Sequence, residues 1–87
     1  MPYRIAMPAK VRKALDSMDA KTFLQVDKEI IRLKDDPRPH GSKKLEDDIY
    51  RVRSWDWRII YAVFDSHKVV QLLRVIRRSE RTYKSLP

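Results

Sequence analysis

The chain has 87 residues, with 20 Lys and Arg against 12 Asp and Glu, a formal net charge of +8, no Cys, two His and one Gly. That length holds a single domain, read over residues 1–87, and leaves no room for a large cofactor cleft. The absence of Cys excludes disulfides, thiolate metal sites and Cys nucleophiles, and two histidines in unrelated settings give no basis for a transition-metal centre. With Gly41 as the one glycine and no Asn, neither a Walker loop nor a G-x-G-x-x-G turn is present. Any bound phosphate must therefore be held by side chains, and neither metal nor cofactor is expected. Twenty cations make a polyanion the expected partner, because fixed positive charge gains affinity by releasing counterions from nucleic acid.

In chain order, Tyr3 to Met7 alternates like a short edge strand, and Pro8 suits the first position of a helix, where its missing N–H costs nothing. Val11, Leu15 and Met18 recur at helical spacing. Asp19 is a candidate N-cap for a second helix running through Leu33, with Phe23, Val26, Ile30 and Leu33 as its apolar stripe. Pro37 and Pro39 end it, so the helical half covers residues 1–36 and a loop follows over 37–48. Residues 49–87 form a strand half. Tyr50-Arg51-Val52-Arg53 alternates, while Trp57 to Phe64 and Lys68 to Ile76 are rich in aromatic and β-branched residues, with Asp65-Ser66-His67 as the turn between them. The expected fold is α+β with order β-α-α-β-β-β: a helical hairpin on one face of a twisted, mainly antiparallel four-stranded sheet. Ser79 to Lys84 reads either as a last helical turn or as a disordered end.

The N-terminus Met1-Pro2-Tyr3-Arg4 lacks the apolar run of a signal peptide, and the longest apolar run, Ile59 to Phe64, is too short to span a bilayer. A cytoplasmic protein with no membrane association is expected.

The charge is uneven: residues 1–48 carry net +2 and residues 49–87 carry net +6, with Arg outnumbering Lys seven to two in the second part. A guanidinium grips phosphate bidentately and stacks on bases, which an ammonium does not. If Tyr50 and Val52 meet the helices, Arg51 and Arg53 lie on the uncovered face. Arg58 opens the next strand and Arg74, Arg77 and Arg78 end the last one, in segments without carboxylates. Trp55, Trp57 and Tyr83 interleave with these arginines, as in single-strand binding surfaces. Trp55, in a turn, is expected to be exposed, and Tyr61 to pack in the core. His67 lies at the far end of the hairpin and His40 in the Pro/Gly loop, so neither is assigned a catalytic role, and no Ser has a His arranged beside it.

Tyr50-Arg51-Val52-Arg53, Trp57-Arg58-Ile59-Ile60-Tyr61 and Arg77-Arg78-Ser79-Glu80-Arg81-Thr82-Tyr83 together resemble the RelE/ParE superfamily of type II toxins over nearly the whole chain, closest to the RelE-like mRNA interferases. The resemblance implies a metal-independent endoribonuclease that cleaves mRNA in the ribosomal A site by attack of the ribose 2′-OH on the adjacent phosphate. It implies that Arg58 stabilises the transition state, that Arg78 protonates the leaving group, and that Tyr83 stacks on a base and orients the nucleophile. Arg51 and Arg53, with Arg74, Arg77, Arg81 and Trp55, would hold RNA. Well-studied members carry lysines where Arg51 and Arg53 stand, one of them a candidate general base. An arginine cannot lose a proton near neutral pH, which leaves Glu80, Tyr83 or no side chain at all in that role. The register also leaves Arg77 as an alternative to Arg78.

ParE-like members share the architecture but inhibit DNA gyrase and cleave nothing; that is the alternative activity. Either reading implies a cognate, RelB-like antitoxin that reaches operator DNA only as the complex. The nuclease reading adds the ribosome and mRNA as partners.

Overall fold

The computed structural model describes residues 2–77, in the order β1 (Arg4–Ala6), α1 (Ala9–Asp16), α2 (Ala20–Arg32), β2 (Lys43–Lys44), β3 (Ile49–Ser54), β4 (Trp57–Phe64) and β5 (Val69–Arg77). Pro8 precedes α1 as its N-cap instead of opening the helix: its ψ of 159° is extended, and its carbonyl accepts the N–H groups of Val11 and Arg12. Ser17 ends α1, so Met18 falls just past the helix while still packing against the core. Asp19 caps α2 as its sequence position predicts, accepting the Thr22 N–H at 2.8 Å. The helix buries Val26 and Ile30, and Leu33 is its C-cap.

The sheet has five strands in the order β1-β5-β4-β3-β2, one more than the sequence pattern suggests. The extra strand is Lys43–Lys44, inside the segment expected to be loop, paired antiparallel with Arg51 and Tyr50. Two lysines carry no apolar alternation, so nothing in their sequence marks a strand; they serve to pair part of the open edge of β3, where charge also discourages further strand addition. At the opposite edge β1 runs parallel to β5, and the remaining pairs are antiparallel.

Both helices cover one face. Val11, Leu15, Val26, Ile30 and Leu33 meet Val52, Ile59, Tyr61, Val63, Val70, Leu72 and Val75 in a single core. On β3 and β4 the core residues alternate strictly, but β5 changes phase: Tyr61 lies opposite Leu72 and Ile60 opposite Arg74, leaving Leu73 as the extra residue of a bulge. Core-facing positions on β5 are therefore Val70 and Leu72 before the bulge and Val75 after it.

A polar cluster fastens the end of the sheet at the β4–β5 turn. Tyr61 is fully buried and its hydroxyl donates to the Pro37 carbonyl at 2.8 Å, which ties the loop after α2 to the centre of the sheet. Burial pushes the Tyr61 hydroxyl pKa up to about 12. Tyr50 stacks on it at 6.0 Å between ring centroids and accepts from Arg38 Nε at 2.9 Å. Arg38 also grips Asp65 with both terminal nitrogens, at 3.2 and 2.8 Å, and Tyr3 donates its hydroxyl to the same carboxylate at 2.6 Å.

Two outcomes follow from this cluster. Tyr61→Phe leaves the buried Pro37 carbonyl without its donor and should cost about 1–3 kcal/mol, measured by urea unfolding. Hydrogen bonds from Arg38 and then Tyr3 hold the Asp65 carboxyl down to about pKa 2. A carboxyl lowered on folding adds stability above its unfolded pKa of about 3.9 and loses it as pH falls through the folded value. Wild-type unfolding midpoints should therefore drop more steeply between about pH 5 and about pH 2 than those of Asp65→Asn, which is already weakened near neutral pH.

Candidate nucleic-acid interface

The face of the sheet turned away from the helices is built by alternation. With Tyr50 and Val52 of β3 and Ile59 and Tyr61 of β4 in the core, Arg51, Arg53 and Arg58 point the other way. Pairing then arranges two rows across the strands. One runs Lys43, Arg51, Ile60, Arg74, and the next runs Arg53, Arg58, Ile76. Arg53 lies directly opposite Arg58, while Arg51 and Arg74 occupy the diagonal positions beside Arg58, at about 7–8 Å for such neighbours.

Arg58 is only 3 % exposed, and Ile60, Ala62 and Ile76 on the same face are also buried. Its guanidinium is thus a fixed charge shielded from water, whereas Arg53 is exposed and Arg51 and Arg74 are half-buried. Arg51 and Arg58 are each engaged in further interactions in the fold. Like charges gathered on one face repel each other unless other groups offset them.

The bulge decides which arginines belong. Unbroken alternation from Val70 and Leu72 would turn Arg74 into the core and Arg77 onto the arginine face; the extra residue at Leu73 reverses both. Arg77 instead places its guanidinium 5.7 Å from the Trp57 ring centroid, beside a cleft on the helix side. The structure brings Arg51, Arg53, Arg58 and Arg74 together and sets Arg77 apart from them. Trp55 is 78 % exposed in the β3–β4 turn and Tyr61 is core, both as the sequence implies. Arg78, Glu80, Arg81 and Tyr83 lie outside the described residues. His67 is exposed in the β4–β5 turn, within reach of Ser66, and no group of three or more His, Asp or Glu side chains suited to a metal forms among the described residues. The same residues contain no helix long and apolar enough to cross a membrane. Lys43 is the cation that sequence reading missed; only its register opposite Arg51 puts it on this face.

The model of the family described as the ParE toxin of the type II toxin-antitoxin system, parDE, matches residues 5–82. The chain belongs to this family. It is a toxin of a type II toxin–antitoxin system of the RelE/ParE type. RelE from the Pyrococcus horikoshii RelE–RelB complex is 28 % identical, with a TM-score of 0.79 over 92 % of this chain and 99 % of that one. The isolated E. coli RelE toxin is 21 % identical, with a TM-score of 0.77 over 95 % of this chain and 93 % of that one. A chain of the RelBE2 complex of Mycobacterium tuberculosis is 23 % identical, with a TM-score of 0.77 over 92 % and 95 %. The last two are likenesses of fold. Among curated proteins, none matches.

The Nε atom of Arg74 is buried without a hydrogen-bond partner. Arg74→Met keeps the stem and removes both the unsatisfied donor and one like charge, so this toxin variant should gain about 1 kcal/mol or more in denaturant unfolding.

Proposed function

We propose that this toxin is an endoribonuclease of the RelE kind, a single domain acting in the cytoplasm, that cleaves mRNA in the ribosomal A site and stops translation. The observation that carries the reading is Arg58, 3 % exposed on the central strand with three further arginines beside it. In the reaction the ribose 2′-oxygen bonds to the adjacent phosphorus while the bond to the 5′-oxygen breaks. The 2′-OH gives up its proton and the leaving 5′-oxygen takes one, yielding a 2′,3′-cyclic phosphate and a 5′-hydroxyl. Negative charge grows on the phosphorane oxygens, and a preorganised cation in a water-poor setting stabilises that charge more than the ground state. Arg58 serves there, Arg51, Arg53 and Arg74 hold flanking phosphates, and Arg78, Glu80 and Tyr83 are assigned the proton transfers and base stacking. No metal or cofactor enters this scheme.

A cognate antitoxin of RelB type is the proposed protein partner, supported by relatives whose structures are toxin–antitoxin complexes. The complex, not the toxin alone, would meet operator DNA. Net +6 over residues 49–87 favours fast capture by an acidic segment. A second reading, inhibition of DNA gyrase without cleavage, is favoured by the family model itself, which is that of ParE.

Inducing the toxin and mapping message ends by primer extension separates the two. Cuts within translated codons that disappear without ribosomes support the nuclease; intact message with accumulating DNA breaks transfers the assignment to gyrase. Arg58→Met, similar in length to the arginine stem, should keep the native circular dichroism spectrum and lose about 10²- to 10³-fold in cleavage rate. Undiminished cleavage by this variant would remove Arg58 from the mechanism.

A further inference from the structure

The two-residue turn between Ser54 and Trp57 carries Trp55 at a φ of 57°. A short hairpin turn takes Gly, Asn or Asp at such a position, and a bulky residue there is an outlier because its Cβ crowds the backbone. The side chain is also 78 % exposed, so burial returns little against the strain. Strained residues persist where the surroundings or a function require them.

Next to this turn, between the first turns of α2 and the start of β4, lies a cleft of about 420 Å³. Lys21, Thr22 and Gln25 line one wall, and Trp55, Trp57 and Arg77 the other. Arg77 rests over the Trp57 ring, leaving the exposed Trp55 indole for another flat group. Two acids are near. Asp56 shares the turn and the cleft lining, and Asp19 spends its carboxylate on capping α2.

We propose that this cleft is a second RNA contact, in which a base flanking the scissile site stacks on Trp55 while Lys21 and Arg77 take the adjoining phosphates. It deepens the ribonuclease reading and rests on it. The lining suits a base better than an apolar peptide side chain: it offers indole faces with Thr22 and Gln25 hydrogen-bonding groups, and no aliphatic pocket. The position suits a continuous strand as well. Arg53, exposed on the opposite face, lies two residues before Trp55, about 7 Å along an extended chain, so RNA leaving the arginine face reaches the cleft by passing round the end of the β3–β4 hairpin.

The probe is a single-stranded oligoribonucleotide carrying 2′-O-methyl groups, which cannot undergo the 2′-OH attack. In Trp57→Phe the remaining indole is Trp55, since the chain has two Trp, and its fluorescence should be quenched on titration. In the otherwise unaltered toxin, Trp55→Gly should weaken binding about 5- to 150-fold, as for one lost stacked base. The same variant should unfold at a temperature no lower than the parent, because glycine accepts the positive φ. Lys21→Gln should reduce the salt slope of binding by about 0.7. Unchanged affinity in Trp55→Gly, a response of Trp55 to poly-glutamate but not to RNA, or no response to either overturns the proposal. Message cleavage by the unsubstituted toxin is scored separately, so ribonuclease function and the cleft fail independently.

Discussion

Strand β4 sets the terms for the rest of the molecule, because it lies at the centre of the five-strand sheet and is buried on both faces from Arg58 to Val63. One face must fill the core beneath the helices, and Ile59, Tyr61 and Val63 do so. The other presents Arg58, Ile60 and Ala62, all buried. Removing a guanidinium from water is costly unless other groups compensate it, and Arg58 is engaged in further interactions in the fold. The burial of a guanidinium at the middle of the sheet thus goes with the central place of β4 in the strand order.

The neighbouring strands determine what surrounds that charge. β3 contributes Arg51 and Arg53 by plain alternation, β2 adds Lys43 by a two-residue pairing, and β5 contributes Arg74 because Leu73 shifts its phase. The same single-residue shift turns Arg77 toward Trp57 and the helix side. A bulge of one residue therefore distributes the arginines of the last strand between two surfaces.

Much of this was legible in residue patterns, and the remainder has identifiable causes. The cap at Asp19, the stripe Val26, Ile30 and Leu33, the strands from Tyr50 onward and the burial of Tyr61 all follow from local periodicity or turn chemistry. The bulge leaves no mark, since Val69-Val70-Gln71-Leu72-Leu73 contains no Gly or Pro and reads as an uninterrupted strand. The strand at Lys43–Lys44 depends on a free edge of β3 and not on its own residues. The ladder from Arg38 through Tyr50 and Asp65 to Tyr3 joins positions up to 62 residues apart in sequence, a distance at which composition says nothing about pairing. Of the arginines read from the sequence, Arg51, Arg53, Arg58 and Arg74 share one face, and the register was needed to show Arg58 buried, Arg53 exposed and Arg77 beside Trp57.

The two ends of the sheet divide the work between them. At the β4–β5 turn, Arg38 is matched by Asp65, Tyr61 by a backbone carbonyl, and the chain after α2 is fastened to the core. At the β3–β4 turn, like charges sit opposite each other at Arg53 and Arg58, and Trp55 adopts a backbone conformation that favours glycine. Marginal stability is the sum over the whole domain, so satisfied polar groups at one end permit backbone strain at the other. Relieving the backbone strain at Trp55 should then raise stability, whereas substitutions at the first end should lower it. That opposition in sign distinguishes a turn strained for a reason other than folding from one that serves the fold.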